Sequence, residues 1–195
     1  MDRSRQMKWP IKDKRGRQAA EQEIVLLVAE LSGLRGQPSP DPAQLATALR
    51  DLTRQYALLG NVDDGVPAAE ELISYLAENQ RLFSIEVVAD AYNYLAMLAF
   101  SLRELGRFSE ALGLDEISLV WFRSHRLAFE EQALDMVLRV AADYAGLGDF
   151  RSAVEILNQQ LAELDDGGPA GDMKDRVQWI KRDRTRYERQ LRRLR

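Results

Sequence analysis

The sequence predicts an all-α protein built from antiparallel helical hairpins, and three observations carry that reading. A seven-residue turn motif returns three times, the apolar residues around it follow helical spacing, and the sustained period-two alternation of strands is nearly absent. The motif reads Leu59-Gly60-Asn61-Val62-Asp63-Asp64-Gly65, then Leu105-Gly106-Arg107-Phe108-Ser109-Glu110-Ala111, then Leu147-Gly148-Asp149-Phe150-Arg151-Ser152-Ala153. Its glycines lie 46 and 42 residues apart, a period typical of a solenoid, where each unit buries its apolar face only against its neighbours.

Each copy follows one physical logic. A helix ends at Leu, and Gly takes the left-handed conformation that closes it without a side-chain clash. Val62, Phe108 or Phe150 pins the turn, and a small residue (Gly65, Ala111 or Ala153) lets the next helix pack closely on the one before. Upstream of Gly148, Leu134, Val137, Leu138, Val140, Ala141, Tyr144 and Leu147 keep helical spacing, as Ala153, Ile156, Leu157, Leu161 and Leu164 do downstream.

About eight helices follow in order. The first is expected near 18–34, ended by the loop Gly36-Gln37-Pro38-Ser39-Pro40. Asp41 caps a second near 41–59, with Pro42 in its first turn and Gln44 three residues on. A third spans 64–78, and Ser84 caps a long fourth over 84–105 that carries Tyr92, Tyr94, Leu95, Leu98 and Leu102. Helices near 108–125, 128–147 and 150–164 precede the break Asp165-Asp166-Gly167-Gly168-Pro169-Ala170-Gly171, after which Asp172 caps a last helix over 172–194. The organisation is thus a basic arm (1–17), a helical repeat domain (18–165), a linker (166–171) and a basic C-terminal capping or coiled-coil helix (172–195).

Composition narrows the chemistry. The 195 residues include no cysteine and one histidine, which removes disulfides, thiolate nucleophiles, iron–sulfur clusters and any site needing two imidazoles. No apolar run approaches the roughly 20 residues of a membrane span. No apolar segment follows the basic N-terminus as a secretory signal would. A soluble, cytoplasmic protein is expected. Arginine outnumbers lysine 22 to 5, the usage of a GC-rich genome, and a bacterial source is expected. Charge falls in blocks: residues 1–20 carry net +5, residues 172–195 net +6 and the middle net −15. Either oppositely charged parts of one fold screen each other, or the ends touch an acidic surface such as nucleic acid.

The recurring residues resemble the tetratricopeptide repeat (TPR). Tyr144…Gly148-Asp149-Phe150-Arg151-Ser152-Ala153-Val154-Glu155 is similar to its first-helix aromatic, turn glycine, aromatic and small alanine; Leu98-Ala99…Gly106-Arg107-Phe108-Ser109-Glu110-Ala111-Leu112 is a second match. Leu52…Tyr56…Gly60-Asn61-Val62 is a third, with Gly65 in place of the usual alanine. The spacing exceeds the usual 34 residues and is similar to the elongated repeats, about 40 residues long, of kinesin light chains and bacterial signalling TPR proteins. The resemblance covers roughly residues 41–165. It implies a right-handed superhelical array of hairpins whose first helices line a concave groove for a peptide or helix of another protein.

Matched residue by residue, the resemblance points Thr47, Arg50 and Arg54 into that groove from the first unit, Asn93, Met97, Phe100 and Arg103 from the second, and Asp135, Arg139 and Ala142 from the third. Family members that hold a C-terminal carboxylate use Lys and Asn on this face. Here Arg54, Phe100 and Ala142 replace such asparagines and the repeats hold no lysine, so no carboxylate clamp is expected. A mixed apolar and Arg/Asp face fits an amphipathic or extended peptide, unless a neighbouring helix covers Met97 and Phe100.

The last helix spaces Met173, Val177, Ile180, Arg184, Tyr187, Leu191 and Leu194 as a heptad seam broken by Arg184. It reads as a cap on the solenoid, a seam for a homo-oligomer, or a contact for nucleic acid or an anionic membrane. In the basic arm, Trp9 is a candidate to dock on the body or a partner. No lysine follows a glycine, which excludes a P-loop, and no Gly-x-Gly-x-x-Gly is present. His125 sits where it would favour a helix-end dipole, Trp121-Phe122 is expected inside, and the acidic doublets lack the order of a calcium loop. A non-enzymatic protein–protein adaptor without cofactor or metal is the expectation, with a nucleic-acid-associated regulator or a self-assembling structural protein as alternatives.

Overall fold

A computed structural model of the chain describes residues 10–11, 13–165 and 174–194. Among them it shows eight α-helices and no strand: α1 (Lys14–Arg35), α2 (Pro42–Leu59), α3 (Val62–Glu78), α4 (Ile85–Glu104), α5 (Phe108–Ser124), α6 (Arg126–Gly146), α7 (Phe150–Asp165) and α8 (Lys174–Arg193), with a 3-10 turn at Gln80–Leu82. They form two compact units, the first ending at Ser101 and the second starting at Leu102.

The three turn motifs are built alike. Gly60, Gly106 and Gly148 have φ of 67°, 74° and 80°, the only positive values among the described residues. At each, the glycine N–H donates to the carbonyl three residues back and the next N–H to the carbonyl five back. For Gly60 and Asn61 these are Ala57 (3.1 Å) and Tyr56 (3.0 Å), for Gly106 and Arg107 they are Arg103 (2.9 Å) and Leu102 (2.9 Å), and for Gly148 and Asp149 they are Ala145 (3.1 Å) and Tyr144 (2.8 Å). This paired bonding satisfies carbonyls that the helix end would otherwise orphan. It needs a left-handed residue, which glycine supplies without a Cβ clash.

The starts follow from side-chain caps. Asp41 accepts from the Ala43 N–H at 2.9 Å. Asn61 accepts from the Asp64 N–H at 3.4 Å, so α3 opens at Val62, two residues before the expected start. Asp13 accepts from the Gly16 N–H at 2.7 Å, which brings Lys14, Arg15 and Arg17 of the expected arm into α1. The α5–α6 junction is His125 alone, so α6 begins at Arg126 instead of 128. The expected roles of Asp172 and Trp9 lie outside the described residues.

In the first unit, Leu27, Leu31 and Leu34 of α1 meet Leu45, Leu49 and Leu52 of α2, Leu72 and Leu76 of α3, and Ala91 of α4. Gly65 explains itself here. A Cβ on it would lie 2.6 Å from Leu98 Cδ2 of α4 and 3.1 Å from Tyr56 Cβ of α2, so a larger residue would have to push the buried Leu98 side chain aside. In the second unit Phe122, Leu134, Val137, Val140, Leu157 and Ile180 are buried, and the small turn residues Ala111 and Ala153 are fully enclosed. Helix α4 comes within membrane-span length, with a mean hydropathy of 1.2 over its most apolar window, which the reading of apolar runs missed. Its Ala91, Leu95, Leu98, Ala99 and Leu102 are buried in the fold, and 44% of that window is buried.

Candidate functional site

In the first unit, the expected groove residues lie on α2 and α4. Thr47 and Arg54 are exposed, and Arg50, Asn93, Met97 and Phe100 are half-buried. Arg50 bonds its own neighbour Asp51 through Nη2 at 3.1 Å and Nε at 3.2 Å. Burial raises the hydroxyl pKa of Tyr94; Asp90 reinforces the shift, Arg54 and Arg50 oppose it, and Asp51 adds to it. Both arginines of α2 thus contribute to the field at Tyr94 of α4.

The second unit treats its expected residues differently. Arg103, in the last turn of α4, inserts its Nη1 between two fully buried carboxylates. It hydrogen-bonds Asp115 of α5 and both oxygens of Asp143 of α6, the latter at 3.1 Å each. Burial pushes the Asp115 carboxyl up, against Arg103, and pushes Asp143 up to about 7, with Arg103 opposing and Asp115 adding to the rise. Burial lowers the Arg139 guanidinium, which sits in the field of Asp115, Arg103, Asp135 and Asp143. Asp135 is engaged by Arg176 of α8, whose Nε lies 2.9 Å away, while Nη2 reaches Glu131 at 3.4 Å. Arg103 and Asp135 are therefore bound inside the unit.

Ala142, the remaining expected residue of α6, opens onto a cleft of about 390 Å³. Ala145 and Gly146 continue its α6 wall, Phe150 of α7 and Tyr187 of α8 supply aromatic walls, and Arg186 and Gln190 line it from α8. The Phe150 and Tyr187 rings are 6.3 Å apart, and the Arg186 guanidinium lies 6.0 Å from the Tyr187 ring centre. Gly146 is obligatory for a separate reason: a Cβ would come within 2.3 Å of the Phe108 ring.

The heptad seam of α8 is occupied within the unit from Val177 to Leu191, while Leu194 is exposed and Met173 lies outside the described residues. Ile180 and Tyr187 are buried, Val177 and Leu191 half-buried, and α8 packs along α7 and also touches α6. His125 stacks on Trp121 at 4.4 Å, with Nδ1 2.9 Å from the Trp121 carbonyl oxygen, a contact to the last turn of α5 that needs the Nδ1–H tautomer. Phe122 is fully buried and Trp121 half-buried. Among the described residues no group of three His, Asp or Glu side chains is placed to hold a metal ion.

No family model and no curated protein sequence matches the chain. Solved structures do. A kinesin light chain protein of Podosopora anserina with nearly identical TPR-like repeats superposes in two structures. One has a TM-score of 0.63 at 17% identity, covering 91% of this chain and 82% of that one. The other has 0.56 at 18%, covering 92% and 88%. BtubC (BKLC) from P. vanneervenii gives 0.55 at 17%, covering 92% of this chain and 73% of that one. The fold is TPR-like.

Within a TPR-like frame, α2, α4 and α6 end at the glycine turns as first helices, and α3, α5 and α7 open after them as second helices. The residues that reading by family overlooked are Asp115 and Asp143, and a signal for them existed. Asp115 shares the apolar spacing of Ala111, Ser118 and Phe122, and Asp143 that of Met136 and Val140. A carboxylate on a core stripe asks for a buried cation. Arg103 supplies one, with Arg139 in the same field.

Proposed function

We propose that the chain is a non-enzymatic scaffold whose first-helix faces bind a peptide or helix of a partner protein. The observation that carries this reading is the set of exposed and half-buried residues along α2 and α4. Arg50, Arg54, Asn93, Met97 and Phe100 there combine exposed or half-buried cations with amide, thioether and aromatic surface. Such a mixture suits an amphipathic or extended segment: apolar side chains find Met97 and Phe100, and the main chain or acidic groups find Asn93 and the guanidiniums. The TPR-like fold supports the proposal because its hairpins present side chains from successive helices on one side.

The test is proximity capture with a photo-crosslinking amino acid at Thr47, comparing the otherwise wild-type chain with Arg54→Glu/Met97→Ala. Recovered proteins are then expressed and their binding measured directly. A defined partner that binds the wild type and loses at least tenfold in affinity for the double variant supports the site. A partner that binds both equally, with circular dichroism unchanged, overturns it.

A further inference from the structure

The most strongly charged surface of the described chain is the solvent face of α8, which the scaffold reading does not use. Lys181, Arg182, Arg186, Arg189, Arg192 and Arg193 are all exposed. At about 1.5 Å per residue they span about 18 Å of helix. The nearby acids are turned aside. Glu188 pairs with Arg184 at 3.6 Å and Asp183 with Arg182 at 3.4 Å. Among the described residues, Lys181, Arg186, Arg189, Arg192 and Arg193 have no acidic partner. At the edge of this face Trp179 is 45% exposed. It stands three residues before Arg182 and seven before Arg186, so indole and guanidinium share one side of the helix.

Packing separates the candidate occupants. The apolar seam of α8, Ile180 and Tyr187, is buried within the unit, which leaves no apolar face to enter a membrane. What remains exposed is a row of cations, almost all arginine, beside an uncovered aromatic ring and next to the cleft walled by Phe150 and Tyr187. Arginine matches phosphate bidentately and stacks on planar rings. Exposed indoles provide platforms for bases that have no partner strand. An acidic polypeptide would satisfy the charges but has no use for the indole.

We propose that this face of α8 binds single-stranded nucleic acid. Lys181, Arg182, Arg186, Arg189 and Arg193 take backbone phosphates, Trp179 stacks one base, and the cleft rimmed by Arg186 and Gln190 receives an adjoining base. Affinity comes mainly from counterion release, and the stacked base makes single strands better ligands than duplex.

Fluorescence anisotropy on the full chain tests this with labelled 12-nucleotide oligo-dT and oligo-rU, a matched duplex, and an oligoglutamate competitor. Binding is expected at about 50 mM salt, with log affinity falling against log salt at a slope of about −3 to −4, as five neutralised phosphates require. Arg186→Gln/Arg189→Gln/Arg193→Gln, at exposed helical positions, is expected to weaken binding at least tenfold and to flatten the slope by about 2. Trp179→Ala is expected to weaken binding at least fivefold with the slope unchanged, and only for single strands. The basic residues of 1–20 are intact in every variant, so binding there would survive all of them. The proposal is overturned if the triple variant binds as well as the wild type, if duplex and single strand bind alike with Trp179→Ala silent, or if oligoglutamate binds and neither oligonucleotide does.

Discussion

Replacing Asp143 by Asn is expected to weaken a pH dependence that the second unit otherwise carries. Asp143 is fully buried, and its carboxyl is pushed up to about 7 by burial, with Arg103 opposing and Asp115 adding to the rise. The folded unit therefore holds a proton that the unfolded chain releases near its ordinary 3.8. Between those values the native state binds more protons than the unfolded state, so stability falls as pH rises. At 1.36 kcal/mol per pH unit the full interval sets an upper bound of roughly 4 kcal/mol, of which roughly 2–3 kcal/mol lies between pH 5 and about 7. A loss of that size lowers the melting temperature by on the order of 10 °C for a unit of this length. Glu86, Glu110 and Asp149 are held low by hydrogen bonds from Ser84, Arg107 and Ser152, and their opposite contribution is complete below pH 5. Thermal melts by circular dichroism from pH 5 to 8 should show wild type losing stability and Asp143→Asn losing markedly less, the remainder coming from Asp115, whose carboxyl burial also pushes up. A wild type as stable at pH 8 as at pH 5, or a variant with the same slope, would refute the argument.

Gly65→Ala is expected to destabilise by about 1–2 kcal/mol in urea melts, because its Cβ meets fully buried Leu98 at 2.6 Å; a gain in stability would contradict that contact, although alanine fills this place in the other two copies. Gly148→Ala has open space but φ of +80°, and should lose about 1 kcal/mol, while Gly113→Ala, equally open but helical, should gain about 0.5–1 kcal/mol. Equal effects at the two would mean that backbone conformation is not what the turn selects. Asp41→Ala removes the 2.9 Å cap on the Ala43 N–H and should cost about 1 kcal/mol, read in the same melts.

The turns were legible because their cause is local. A left-handed residue after a helix is encoded by one glycine, and Gly60, Gly106 and Gly148 all adopt it. Helix ends were displaced by two to four residues where a cap sat earlier than the apolar pattern did, at Asp13 and Asn61. The candidate site was legible only in part. Arg50 and Arg54, which the resemblance pointed into a groove, act electrostatically on Tyr94 of α4. Arg103 lies three residues before its own turn glycine, and its environment depends on Asp115 and Asp143, 12 and 40 residues away. No local pattern carries that information. Trp179 was overlooked because it falls outside the seam of α8, and exposure of an aromatic residue is decided by which face its neighbours cover.

Arg103, Asp115 and Asp143 do something that the leucine stripes around them cannot. Apolar contact is non-directional, and a stripe repeating every three or four residues packs almost as well one turn out of register. The glycine turns reverse the chain but leave that axial choice open. A single guanidinium nitrogen that bonds Asp115 and both oxygens of Asp143 accepts one alignment of the end of α4 with α5 and α6. Sliding any of them by a turn strands a buried charge, at a cost of several kcal/mol. The desolvation that raises both carboxyls is thus the source of the specificity. Arg103, which family likeness pointed into a groove, instead aligns the end of α4 with α5 and α6.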